Sequence, residues 1–211
     1  MNAGYLSLLF LVVSLILLAS GWKDLLVRGI TTKVILLFFV CWIASMQLSL
    51  VLPGARIGLW VVVLFAVIAC VVYRCRGRLL KLNILSVGML LGSVSFFLLE
   101  TIHLLPSIMI GSTELSMALL IGLLVSAIFR SASVQIAVVS LGLLIGESLF
   151  RLAHREHMAF HLGSAVLQDR WWLTIYTTRG ISLLIASVVL VLTRSVHWAA
   201  AGIRKRRNNG E

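Results

Sequence analysis

Five polar residues recur at intervals of seven through a mostly apolar stretch: Ser133, Ser140, Glu147, His154 and His161. On a continuous helix they form one slowly drifting seam, with Arg151 beside Glu147 and His157 beside His161. Glu147 and Arg151 have the i, i+4 spacing of a helical ion pair. His154, His157 and His161, spaced by three and four, would put imidazoles on one stripe, an arrangement that suits zinc, with Glu147, Glu156 or Asp169 available to complete the set. A carboxylate among imidazoles near neutral pH is also a proton-exchange site. The zinc-protease pattern is missing, because His157-Met158-Ala159-Phe160-His161 lacks a glutamate after its first histidine. The expected reading is therefore a polar interfacial helix with no catalytic residue and no cofactor, and bound zinc is its alternative.

Those residues must be positioned by membrane helices. The 211 residues are 61% hydrophobic and 12% charged, with mean hydropathy +1.10, which is more apolar surface than one soluble core can hide. A net charge of +11 suggests nucleic acid at first sight, but the basic residues fall between apolar runs, where they act as topology determinants. The runs predict seven spans, at about 4–21, 34–52, 57–73, 82–105, 115–129, 134–150 and 181–197, in a single membrane domain. Pro53-Gly54 marks a tight turn between the second and third. Residues 151–180 read as an outer interfacial connection, with Trp171, Trp172 and Tyr176 at headgroup level and residues 165–178 as an interfacial helix or an early start of the last span. Residues 198–211 read as a basic cytoplasmic tail.

Charge sets the expected orientation. Of 18 lysines and arginines, only Arg56, Arg151, Arg155, Arg170 and Arg179 fall outside if the N-terminus is external and the C-terminus cytoplasmic, the positive-inside pattern. No basic n-region precedes the first run, so it is expected as an uncleaved span. The fold class is thus an all-α polytopic bundle. Cys41, Cys70 and Cys75 fall in spans or an inner loop and read as small apolar fillers.

Two glycine pairs offer close helix packing: Gly88 with Gly92 on the fourth span, and Gly142 with Gly146 on the sixth, each a GxxxG. At about 1.5 Å per residue, Glu100 lies about 28 Å beyond Lys81 and Glu147 about 25 Å beyond Arg130, so the two carboxylates share a level. His103 continues the Gly88–Gly92 face. If the glycine faces meet, Glu147, Arg151, His154, His103 and Glu100 form one outward-opening cluster, the expected site for a ligand or proton.

In size, in the outside-first helix closed by Gly21-Trp22-Lys23, and in the late polar segment Gly146-Glu147-Ser148, the chain resembles the small multi-pass YphA-type membrane proteins of endospore-forming bacteria. The resemblance implies a bacterial cytoplasmic membrane protein and carries no activity with it. Other assignments fail locally: Gly146 replaces the first glutamate of the EExxxR element of membrane-embedded CAAX-type proteases, and 181–193 holds no lysine for a retinal Schiff base. The functional expectation is a non-enzymatic accessory or scaffolding protein whose partners are the lipid bilayer and other membrane proteins or further copies of itself, not nucleic acid. A small-solute or ion transporter or channel is the alternative. A membrane enzyme or metal-binding protein using the outer His/Glu cluster ranks third.

Overall fold

The computed structural model describes residues 3–21, 30–101, 112–154 and 160–208. Among them seven helices follow in order: α1 (Tyr5–Ala19), α2 (Thr32–Ser45), α3 (Leu59–Arg74), α4 (Arg78–Thr101), α5 (Thr113–Ile128), α6 (Ala132–Ala153) and α7 (Ala165–Asn208). Three short strands accompany them: β1 (Ser49–Leu52), β2 (Ala55–Gly58) and β3 (Phe160–Leu162). The helices occupy the apolar runs because a helix satisfies its backbone groups internally, whatever surrounds it.

Helix α6 is the hub. It packs on α3, α4, α5 and α7, and Ala137, Val138, Val139 and Ser140 have no exposed surface. α1 packs on α7, and α2 on α3. Five contacts collect at one end of the bundle: Gly4 with Asp169, Met46 with Gln168, Trp60 with Gly163, Glu100 with His154, and Glu114 with Arg170. Odd-numbered helices therefore start at this polar end and even-numbered helices finish there. Arg74, Arg78 and Arg130, which flank the opposite helix ends, make the other end basic.

Among the described residues, three helices are long and apolar enough to cross a membrane: α4, α6 and the Ala165–Ser195 part of α7. α1, α2, α3 and α5 are apolar but have only 14 to 16 residues, about 21–24 Å of helix against a hydrocarbon core of about 30 Å.

Three expectations are corrected. The runs 34–52 and 57–73 are not helical throughout: α2 stops at Ser45, and a hairpin pairs Ser49 with Gly58 and Leu52 with Ala55. Its two-residue turn is Pro53-Gly54, where proline presets φ and Gly54 takes φ 80°. β3 adds in parallel, pairing Arg56 with His161, so the sheet pins the return from α6 to α7.

The last helix begins at Ala165, the early start that is one of the two expectations for residues 165–178, and so takes in most of the stretch expected as a connection up to 180. The Ser164 hydroxyl accepts from Leu167 N at 3.3 Å, and one face, with Leu167, Trp171, Thr174 and Thr178, is buried at once. Trp171 and Trp172 accordingly lie inside the bundle at 3% and 4% exposure, rather than at a lipid interface. Trp171 stacks on Trp42 with ring centroids 4.8 Å apart and donates to the Ser140 hydroxyl at 2.9 Å.

The polar seam is not one continuous helix. α6 ends at Ala153, His154 adopts a non-helical φ of −102° and ψ of 22°, and His161 lies on a strand. His154 and His161 therefore do not share a helical stripe, and His157 lies outside the described residues.

Candidate functional site

The polar end is built around Glu147, which α6 buries to 5% exposure one turn beyond Leu143 and Leu144. A lone carboxylate there would be costly, and two arginines meet it. Arg151, four residues on along the same helix, places Nε 2.9 Å from Glu147 Oε1. Arg170 reaches from α7, with Nη1 3.2 Å from Glu147 Oε2.

Arg170 also grips Glu114 in a bidentate fork, donating from Nε to Oε2 at 2.6 Å and from Nη2 to Oε1 at 2.9 Å. Glu114 is in the first turn of α5, where Ser112 caps the helix and accepts from Leu115 N, and the helix dipole favours an acid. The result is a chain of alternating charge, Glu114–Arg170–Glu147–Arg151, that ties α5, α6 and α7 together. Arg170 is 6% exposed, and its planar five-donor head serves two carboxylates at once, which an ammonium group could not do in this geometry.

Of the expected cluster, the structure brings Glu147 to Arg151 and sets His154 Nε2 3.7 Å from Glu100 Oε1. His154 Nδ1 is 3.1 Å from the Phe150 carbonyl, which suits a proton on that nitrogen and turns Nε2 toward Glu100. This second pair is more open, with side chains 32% and 48% exposed. His103 lies outside the described residues. Among the described residues, no three His, Cys, Asp or Glu side chains gather as a metal would require. Asp169, a candidate ligand by sequence, is engaged elsewhere: its carboxylate accepts from Gly4 N at 2.7 Å and Ser7 N at 2.6 Å, capping α1 from a distance of 165 positions.

The glycine pairs sit where α4 crosses α6. A Cβ on Gly142 would meet Leu91 at 2.8 Å, and one on Gly146 would meet Ser95 at 2.7 Å; Gly88 and Gly92 in turn face Leu141 and Ile145. This close approach brings Glu100 and His154 to the same level.

Sequence reasoning missed Glu114 and Arg170. By sequence Glu114 falls just before the span at 115–129, and Arg170 counts only as one of the outer cations. The available signal was the i, i+4, i+8 run of Arg170, Thr174 and Thr178, a polar stripe in an apolar segment. Arg179, counted by sequence with the connection before the last span, lies within α7, and its Nη1 donates to Gln135 Oε1 at 2.8 Å, four residues into α6 and so toward the basic end. Gln135, fully buried, in turn donates to the Phe129 carbonyl at 2.6 Å and to Ser182 at 3.1 Å.

No family model matches the chain, and no similar curated protein or solved structure was found.

Proposed function

We propose that the chain is a seven-span integral protein of a bacterial cytoplasmic membrane, with its N-terminus outside and its C-terminus inside, that acts as a non-enzymatic accessory or scaffolding subunit. Alternating helix ends favour seven crossings, the four shorter helices being completed by adjoining turns and strands. Reporter fusions after Lys33, Arg78 and Arg130 should read cytoplasmic, and fusions at Ser112 and Ser164 external; one reversed pair would overturn this topology.

The observation that carries the accessory reading is the far part of α7. From Leu184 to Leu192 every residue is exposed, Leu184 at 65% and Val191 at 60%, although Ser187 is the one polar residue of that stretch. A helix apolar on all sides is built to be covered. Among the described residues the bundle stops short of it, the last side-chain hydrogen bond from α7 to another helix being at Ser182. Lipid or a helix of another protein must therefore surround it, and an element that leaves its own bundle to present such a surface suits assembly. At the polar end, by contrast, the buried charges neutralise one another and clamp helices together.

Photo-crosslinking amino acids at Val188 and Leu192 in native membranes test this reading. Recovery of one defined protein partner, or of the chain itself, supports it. Crosslinks to lipid alone, together with solute uptake by reconstituted vesicles that is lost in Arg179→Gln, would replace it with the transport reading. That second reading is favoured by the buried Arg179–Gln135 pair, because a charge within a membrane bundle commonly marks a pathway.

A further inference from the structure

A cavity of about 160 Å³ lies between α1 and α2, in the half of the bundle nearer the basic end. Its walls include Leu18 of α1, Val34 and Phe38 of α2, Val67 of α3, Ile136 of α6 and Ile175 of α7. Of the polar groups in its lining, the Tyr176 hydroxyl is engaged with the Ser14 hydroxyl at 2.6 Å and the Phe10 carbonyl at 3.2 Å, and Arg179 Nη1 donates to Gln135 Oε1 at 2.8 Å. An apolar cavity of this size stays dry and takes up an apolar guest. Among the described residues, α1 packs chiefly on α7 and α2 chiefly on α3.

Charge around the cavity is one-sided. Arg179 forms part of the wall, and exposed Lys33 immediately precedes Val34 at the start of α2. Glu100, Glu114, Glu147 and Asp169, the acidic residues among those described, all lie at the opposite end of the bundle.

We infer that the slot between α1 and α2 is a lipid site: it takes an acyl chain of an anionic phospholipid from the leaflet at the basic end, with the headgroup held near Lys33. The hydrocarbon fills the dry cavity, and the positive rim selects an anionic over a zwitterionic headgroup. This inference rests on the membrane reading above.

The test uses the full chain in vesicles containing a trace of phosphatidylglycerol or phosphatidylcholine with a diazirine on one acyl chain, followed by peptide mapping after illumination. The phosphatidylglycerol probe should label residues 34–39 and 171–179 in the wild type, and the phosphatidylcholine probe should label them far less. Val67→Trp, which fills the cavity, should lose that label while Leu85 and Met89 on the outer face of α4, 47% and 55% exposed, keep theirs. Label on outer faces alone would overturn the site, and equal cavity labelling by both probes would overturn the selection for negative charge. If Val67→Trp fails to fold, the two-probe comparison in wild type decides alone. Absence of label everywhere, α4 included, would defeat the membrane reading itself, a different result from an empty cavity in a labelled protein.

Discussion

Arg170 Nη1 lies 3.2 Å from Glu147 Oε2, joining residues 23 positions apart. The contact changes the meaning of the neighbouring Glu147–Arg151 pair. On the surface of an isolated helix that i, i+4 pair would be worth a few tenths of a kcal/mol. Inside the bundle, Glu147 has a second cation, and that cation is the more deeply buried of the two.

Removal of Arg170 should therefore do more harm than removal of Arg151. Arg170→Met takes the bidentate partner from Glu114 and leaves Glu147 with Arg151 alone, and should cost about 1–3 kcal/mol, whereas Arg151→Met leaves Glu147 with its more deeply buried cation and should cost about 1 kcal/mol or less. Arg170→Lys should recover only part of the loss, because it cannot reproduce the bidentate grip on Glu114. Thermal unfolding in detergent separates these outcomes, and equal losses for Arg151→Met and Arg170→Met would show that Arg170 is not the clamp.

The crossing of α4 and α6 makes a steric prediction. A methyl at Gly146 would lie 2.7 Å from the Ser95 Cβ and 3.0 Å from the Gly92 carbonyl, which has no room to retreat. Gly146→Ala should cost about 1–3 kcal/mol, and Gly92→Leu should sharply reduce the folded yield. Gly180→Ala in α7 is the control, since nothing lies within 4 Å of its added Cβ. It should be neutral or stabilising by up to about 1 kcal/mol. Similar losses at Gly146 and Gly180 would argue for a general intolerance of substitution instead of a tight crossing.

Asp169 docks the start of α1 by accepting from two of its backbone amides. Asp169→Ala should cost about 1–2 kcal/mol, the usual range for a lost helix cap. Hydrogen exchange gives the local signature: faster exchange confined to the first turn of α1, at Ser7 above all. Unchanged protection there would separate Asp169 from the anchoring of α1.

The histidines are expected to be structurally minor. His154 is part-exposed and 3.7 Å from Glu100, so His154→Ala should change stability by less than about 1 kcal/mol. Added zinc should leave the unfolding temperature of wild type and His154→Ala alike. A zinc-dependent rise in wild type that His154→Ala abolishes would favour the metal reading.

The chain's class was legible in its composition and in the spacing of its apolar runs, because both report how much surface must be hidden and over what length. Local periodicity also carried the Glu147–Arg151 spacing and the glycine pairs, since residues four apart share a helix face wherever that helix ends up. Periodicity misled where a continuous helix was assumed: the seven-residue seam runs past Ala153, but β pairing with Arg56 claims His161. It also left residues 165–178 open between an interfacial helix and an early start of the last span, because no local pattern shows that Gly180 lies inside a helix.

Sequence by itself thus determined an apolar helical protein, the approximate positions of its helices and the faces that can approach closely. Tertiary structure alone decided that Arg170 bridges Glu114 and Glu147, that Asp169 caps a helix 165 positions away, and that Arg179 turns to Gln135. The physical reason is range. Helix formation and facial spacing follow from neighbours within a turn or two, whereas the partner of a buried charge is whichever opposite or polar group the packed helices bring within about 3 Å, and no local pattern records that meeting.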